Sequence, residues 1–137
     1  MAKPFVINVV VDNQQFQSAD PVRCHPGRRL IFMIHNEDVQ SYDVTINPAE
    51  FFEKEDAGTG LPASNPTTAN APITVTVSGV GTPGSSKPIK FMLRPKAQFG
   101  KGAGLARYTT YKYTVRGNIS GGAALVPLDP DFDVTFP

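Results

Sequence analysis

Only one cysteine, Cys24, occurs in the 137 residues. An internal disulfide and a cysteine-based zinc cluster are therefore excluded. The redox compartment stays open, because a chain without disulfides suits the cytosol and the periplasm alike. No apolar run approaches the roughly 20 residues of a membrane-spanning helix. The opening Met-Ala-Lys-Pro-Phe-Val-Ile-Asn is too short and too polar for a signal peptide. The expectation is a soluble chain with no membrane partner, of undetermined compartment, and periplasmic or secreted if a leader has been removed. Histidine is scarce too, with only His25 and His35. A net charge of +1 gives no bulk preference for nucleic acid or membrane.

Acids are missing from one long interval. None lies between Asp56 and Asp129, while that interval holds Lys87, Lys90, Arg94, Lys96, Lys101, Arg107, Lys112 and Arg116. Residues 37 to 56 carry the opposite sign, with seven acids (Glu37, Asp38, Asp43, Glu50, Glu53, Glu55, Asp56) against Lys54. Complementary patches favour association and orientation. A protein partner, or self-association through the acidic 37–56 and basic 87–116 regions, is therefore expected.

What is present is a series of short strands. Residues 26 to 46 read as a turn at Pro26-Gly27, a strand, a polar corner at Asn36-Glu37-Asp38 and a second strand from Tyr42 to Ile46. Leu30 to Ile34 is an unbroken apolar run, which suits a strand covered on both faces. Phe5 to Val11 has one fully apolar face and one mostly apolar face. Ile73 to Ser78, Ile89 to Arg94, Tyr108 to Arg116 and Asp131 to Phe136 alternate with period two. In the last of these, Asp131 and Asp133 suit a guard on an exposed edge. Asn47-Pro48-Ala49-Glu50 combines a cap, a proline at the first helical position and a capping-box acid, predicting a short helix over about 48–56. Thirteen prolines and twelve glycines fall mostly between the strands. The pattern predicts one all-β domain over residues 1–137, an antiparallel β-sandwich with that one short helix.

Three pieces in order resemble the cupredoxin family. Pro-Gly-x-x-Leu-x-Phe-x-x-x-Asn at 26–36 is similar to the strand that ends in an asparagine corner. Ser41-Tyr-Asp-Val-Thr-Ile46 is similar to the strand that opens with the first copper-binding histidine. Tyr111-Lys-Tyr-Thr-Val115 is similar to the strand that leads into the copper-binding cysteine. The resemblance implies a Greek-key, cupredoxin-like sandwich. It also implies a relative without type 1 copper. Tyr42 stands where the histidine belongs and Val115 where the cysteine belongs. The following loop has no histidine, and no methionine occurs after Met92. Such a centre needs two imidazoles and a thiolate.

The expected function is a non-catalytic binding or assembly domain with no cofactor. Its working surface would be the loops 36–42, 95–107 and 116–123, or the basic face. Tyr42 is the first candidate for ligand contact, because it replaces a ligand at the family's functional corner. Lys90, Arg94, Lys112 and Arg116 are the candidates on outward strand positions. One alternative is a metal or electron-transfer protein that holds copper with Cys24 and His25 in a non-standard or intersubunit site. His25 and His35 bracket an extended strand of about 25–30 Å, so one metal cannot use both in one subunit. A second alternative is an anion or nucleic-acid binder through residues 87–116. It is disfavoured because alternation sends Tyr111 and Tyr113 into the core, away from Lys112. Gly100-Lys-Gly-Ala-Gly104 lacks the spacing and the adjoining helix of a phosphate loop. Asp129, Asp131 and Asp133 lack the glycine and distal glutamate of a calcium loop. Cys24-His25, neighbours on an extended segment, point apart and do not form a nucleophile–base pair.

Overall fold

The computed structural model describes residues 3–18, 23–53, 65–99 and 108–135. Among them are eleven strands: β1 (Phe5–Asp12), β2 (Gln15–Ser18), β3 (Arg23–Cys24), β4 (Arg29–Asn36), β5 (Tyr42–Ile46), β6 (Phe52–Glu53), β7 (Ile73–Val77), β8 (Ser86–Met92), β9 (Tyr108–Lys112), β10 (Val115–Ile119) and β11 (Asp131–Thr135). The first sheet has the order β2-β1-β4-β8, the second β10-β5-β7 and the third β3-β11-β9-β6. No helix among the described residues is long and apolar enough to cross a membrane.

The second and third sheets are continuous through the chain. β9 runs into β10 through Tyr113 and Thr114, and residues 124–135 return beside them. Tyr113 N donates to Pro130 O, and Val115 and Leu128 exchange backbone bonds of 2.8 and 3.1 Å. This combined layer faces the first sheet across an aromatic cluster. Phe32 of β4 packs near Tyr113 (centroids 4.7 Å) and beside Phe51, while Tyr111 and Tyr113 pack on Phe132. Period-two alternation builds this core directly. Ile7, Val9 and Val11, Leu30, Phe32 and Ile34, and Ile89 and Phe91 are buried on one side. Tyr42, Val44 and Ile46, Tyr111, Tyr113 and Val115, and Phe132 and Val134 are buried on the other. The all-β sandwich is thus the fold.

Several expectations need correction in detail. The sandwich is not wholly antiparallel: β1 runs parallel to β4 over Phe5↔Leu30 to Val11↔Asn36, and β3 runs parallel to β11. β1 and β4 therefore start at the same end, with β2 and β3 between them in the chain. The helix expected at 48–56 is a single 3₁₀ turn, Pro48–Glu50. Asn47 caps it as expected, its Oδ1 accepting from Ala49 N at 3.0 Å. Phe51 then goes extended (φ −75°, ψ 135°) because β6 pairs with β9. Residues 54–56 lie outside the described residues. Asp133 does not guard an edge, since Arg23 of β3 pairs with it on one side and Thr110 of β9 on the other. Asp133 instead accepts from Thr110 Oγ1 at 2.7 Å. The edges of the first sheet are β2, four residues long, and β8, which carries Pro88.

β1 and β2 form a hairpin whose loop residues, Asn13 and Gln14, have φ of 50° and 61°. Two left-handed residues in succession match a type I′ turn. Beyond this turn Phe16 docks on Gly117 of β10. A Cβ at Gly117 would lie 2.7 Å from Phe16 Cζ and 2.6 Å from Asp43 O, so only glycine fits that approach.

Candidate functional site

The corner at 36–42 is built on Asn36, the last residue of β4 and 3% exposed. Its Nδ2 donates to Gln40 O at 2.6 Å and Ser78 O at 2.8 Å, with Val77 O at 3.3 Å. Its Oδ1 accepts from Asp38 N at 2.8 Å. One buried amide thus ties the end of β4 to the start of β5 and the end of β7. A buried amide this well satisfied specifies one local geometry.

That geometry places Asp38 against Tyr42. Tyr42 Oη donates to Asp38 Oδ2 at 2.6 Å, and Asp38 Oδ1 accepts from Val39 N at 2.6 Å. The tyrosine bond, with backbone N–H groups of Val39, Gln40 and Gln14, holds the Asp38 carboxyl below its usual range. Burial and then the Asp38 carboxylate push the Tyr42 phenol up to about 12. Tyr42 itself is fully buried. It opens the inward row Tyr42, Val44, Ile46, so its ring lines the core. The surface of the corner is Asp38, half-buried, and Val39, 82% exposed. The contact expected of Tyr42 with a surface ligand is corrected accordingly.

Neighbouring loops close on this corner. Val80 N donates to Asp38 O at 2.8 Å, and Ser120 N donates to Ser41 O at 3.0 Å. Loops 36–42 and 120–123 therefore share one end of the sandwich; residues 116–119 of the expected loop belong to β10, and residues 95–99 lie at the other end, where Met92 pairs with Arg29 at the start of β4. Of the loop 95–107, Lys96–Phe99 forms a 3₁₀ turn with Phe99 buried. Residues 100–107, including the Gly100–Gly104 stretch, lie outside the described residues. A cleft of about 370 Å³ lies beside the β1–β2 hairpin, lined by Gln14, Gln15, Phe16, Val126, Pro127 and Leu128. No motif in the sequence marks it.

The basic candidates are not assembled on one surface. Lys90 alternates with the buried Ile89 and Phe91 and projects from the first sheet. Lys112 and Arg116 come directly after the buried Tyr111 and Val115 and project from the opposite layer. Arg94 lies just beyond β8 and fastens a loop: its Nε donates to Asn65 O at 2.9 Å and its Nη1 to Gln98 Oε1 at 3.2 Å. The single basic face is thereby corrected. Tyr111 and Tyr113 are in the core, as alternation required.

Charge complementarity begins inside the chain. Arg116 grips Glu50 with Nε at 3.0 and 2.8 Å from the two carboxylate oxygens and Nη2 at 2.6 Å. Asp43 accepts from Thr76 Oγ1 at 2.7 Å and Ser120 Oγ at 3.0 Å, bonds that hold its carboxyl below the usual range. Part of the acidic 37–56 region is therefore already engaged.

Cys24 and His25 sit in different surroundings. Cys24 is in the core, and burial, with the Asp133 charge, pushes its thiol up to about 12. Burial thus keeps the thiolate, the nucleophilic form, scarce at neutral pH. His25 packs edge-on to Phe5, and Thr135 Oγ1 lies 2.8 Å from its Nδ1. The same hydroxyl donates to Cys24 O at 3.1 Å. His35 is bridged on the outer face of the first sheet, 2.8 Å from both Ser86 Oγ and Asn8 Oδ1. Among the described residues no three His, Cys, Asp or Glu side chains converge as a metal set.

Neither the models of known protein families nor the curated proteins give a match to this chain.

Proposed function

We propose that the chain is a single non-catalytic binding or assembly domain, a cupredoxin-like Greek-key sandwich that works without type 1 copper. The observation that carries this reading is the Tyr42–Asp38 pair. Tyr42 occupies the position that resembles the first copper-binding histidine, and its hydroxyl is bonded to Asp38 at 2.6 Å inside a closed corner. Val115, at the position that resembles the cysteine, is a fully buried core residue. An apolar side chain and a raised phenol supply no thiolate and no imidazole. What this end of the sandwich does offer is a joined set of loops, 36–42, 78–85 and 120–123, with Val39 exposed at its tip. Surface loops held by a rigid scaffold are a common seat of binding.

The test is addition of copper(II) to the metal-free chain. The expected result is a visible spectrum without an intense thiolate charge-transfer band. Such a band, abolished in Cys24→Ser, would overturn the reading in favour of a copper site using Cys24.

A further inference from the structure

The outer face of the first sheet departs from what a water-facing sheet carries. Sheets of this kind alternate apolar inward residues with polar outward ones. Here half of the outward positions of β1, β4 and β8 are apolar, Val6, Val10, Ile31, Met33, Pro88 and Met92, set around the hydrogen-bonded Asn8, His35 and Ser86. Val6 is 41% and Met92 42% exposed. Ile31 is only 9% exposed, yet it does not belong to the core cluster. Its neighbours on the outer face shelter it. The unbroken run Leu30–Ile34 has the composition of a strand covered on both faces, while among the described residues it is covered on one.

We propose that a second copy of this chain supplies the other cover, outer face against outer face. The proposal rests on the reading of the chain as an assembly domain and names the surface used. Charge selects this occupant and its orientation. Arg29 stands at one end of β4 and Glu37 just beyond the other, both exposed. Glu37 N donates to Val11 O at 2.8 Å, which keeps it in line with the strand. Asp12 sits beside it at the end of β1. Lys90, opposite Ile31, adds to the Arg29 end, and Lys87 alternates to the other side of β8. Met33 is midway between Arg29 and Glu37. A two-fold axis along the strands would stack Arg29 on Arg29. An axis across the strands at Met33 places Arg29 of each copy over Glu37 of the other, Val6 over Val10 and Met33 over Met33. Only the second arrangement is self-complementary, as an isologous interface requires.

Edge pairing is the weaker alternative for this sheet. Pro88 removes a backbone donor from the β8 edge, and the β2 edge is four residues long. In area, strands of eight, eight, seven and four residues, about 4.8 Å apart and rising about 3.3 Å per residue, make about 430 Å² per copy. The total of about 860 Å² is in the class of weak, transient interfaces, so a weak dimer is expected, to be followed at chain concentrations from about 10 µM to about 1 mM.

Sedimentation equilibrium of the full chain across that range, at low and moderate salt, tests the proposal. The expected result is a monomer–dimer equilibrium that weakens with salt. Val6→Lys, Arg29→Glu and Glu37→Arg should each weaken it at least about tenfold. The double reversal Arg29→Glu with Glu37→Arg should restore it to within about threefold, because both symmetric contacts re-form. Circular dichroism checks that each variant folds; the charge positions are exposed and keep the test intact if Val6→Lys does not. A chain that stays monomeric, or a double reversal as weak as the single ones, overturns the proposal. The copper titration is independent: a monomer without a copper band overturns this interface and leaves the binding-domain reading standing.

Discussion

Replacing Asn36 by alanine removes the amide that closes the corner at 36–42. Two of its donated bonds, to Gln40 O and Ser78 O, are short, and it accepts one more from Asp38 N. The Val77 contact at 3.3 Å shares a proton with a shorter bond and adds little. At about 1 kcal/mol for each of the three, Asn36→Ala should cost about 3 kcal/mol. For a chain of this length that lowers the midpoint of thermal unfolding by about 10 °C. The isosteric Asn36→Asp sharpens the test. It keeps the acceptor for Asp38 N but turns a carboxylate oxygen towards three carbonyls. At neutral pH it should be at least as damaging as alanine. The penalty should ease as pH falls, because a protonated carboxyl can donate where the amide did. Urea denaturation at two pH values measures both variants, and hydrogen exchange at the Asp38 amide reports the corner itself. A loss below about 1 kcal/mol for Asn36→Ala would refute the reasoning, as would Asn36→Asp of native stability at neutral pH.

Stability should also depend on pH at both extremes. Tyr42 and Tyr113 are raised from 10.0 to about 12 in the folded chain, Tyr113 chiefly by burial. A raised folded value contributes stability below the unfolded value and loses it as pH rises, so unfolding should set in between about pH 10 and 12. Tyrosinate absorbance should rise together with loss of structure; full ionisation of both residues in a folded chain would contradict this. On the acid side Asp38 and Asp43 are lowered from 3.8, so the stability they contribute is lost as pH falls below that value. Cys24 should be unreactive to a thiol reagent in the native chain and react only at the rate of unfolding, because burial keeps it a thiol. Stoichiometric labelling within seconds under native conditions would count against its placement in the core.

The strands were legible because period two is a local signal. Ile73–Val77 and Asp131–Thr135 lie where alternation placed them. Pairing partners were not legible. Alternation says which face Asp133 takes, not that β3 and β9 flank it. The parallel register of β1 with β4 depends on a crossover whose path leaves no periodic trace. The helix at 48–56 was half legible. Asn47 and Pro48 act as the cap chemistry dictates, but pairing of Phe52 with Lys112 draws the chain out of the helix after Glu50. At the site, the asparagine corner could be read and its purpose could not. The resemblance marked Tyr42 as a ligand position, while the same alternation that forms β5 sends it into the core. The Arg116–Glu50 pair joins residues 66 apart, beyond any spacing rule. Lys90 and Lys112 share a basic interval of sequence, and the sandwich sends them to opposite layers.

The central claim is that the corner resembling a copper site is a closed hydrogen-bonded corner of a binding or assembly domain. Its most direct test is copper(II) titration of the metal-free chain, with visible absorption and electron paramagnetic resonance as the readouts. The account predicts no thiolate charge-transfer band and a resonance no different from copper(II) bound loosely through surface oxygen and nitrogen. An intense visible band with a narrow copper hyperfine splitting, at one copper per chain and lost in Cys24→Ser, would contradict it.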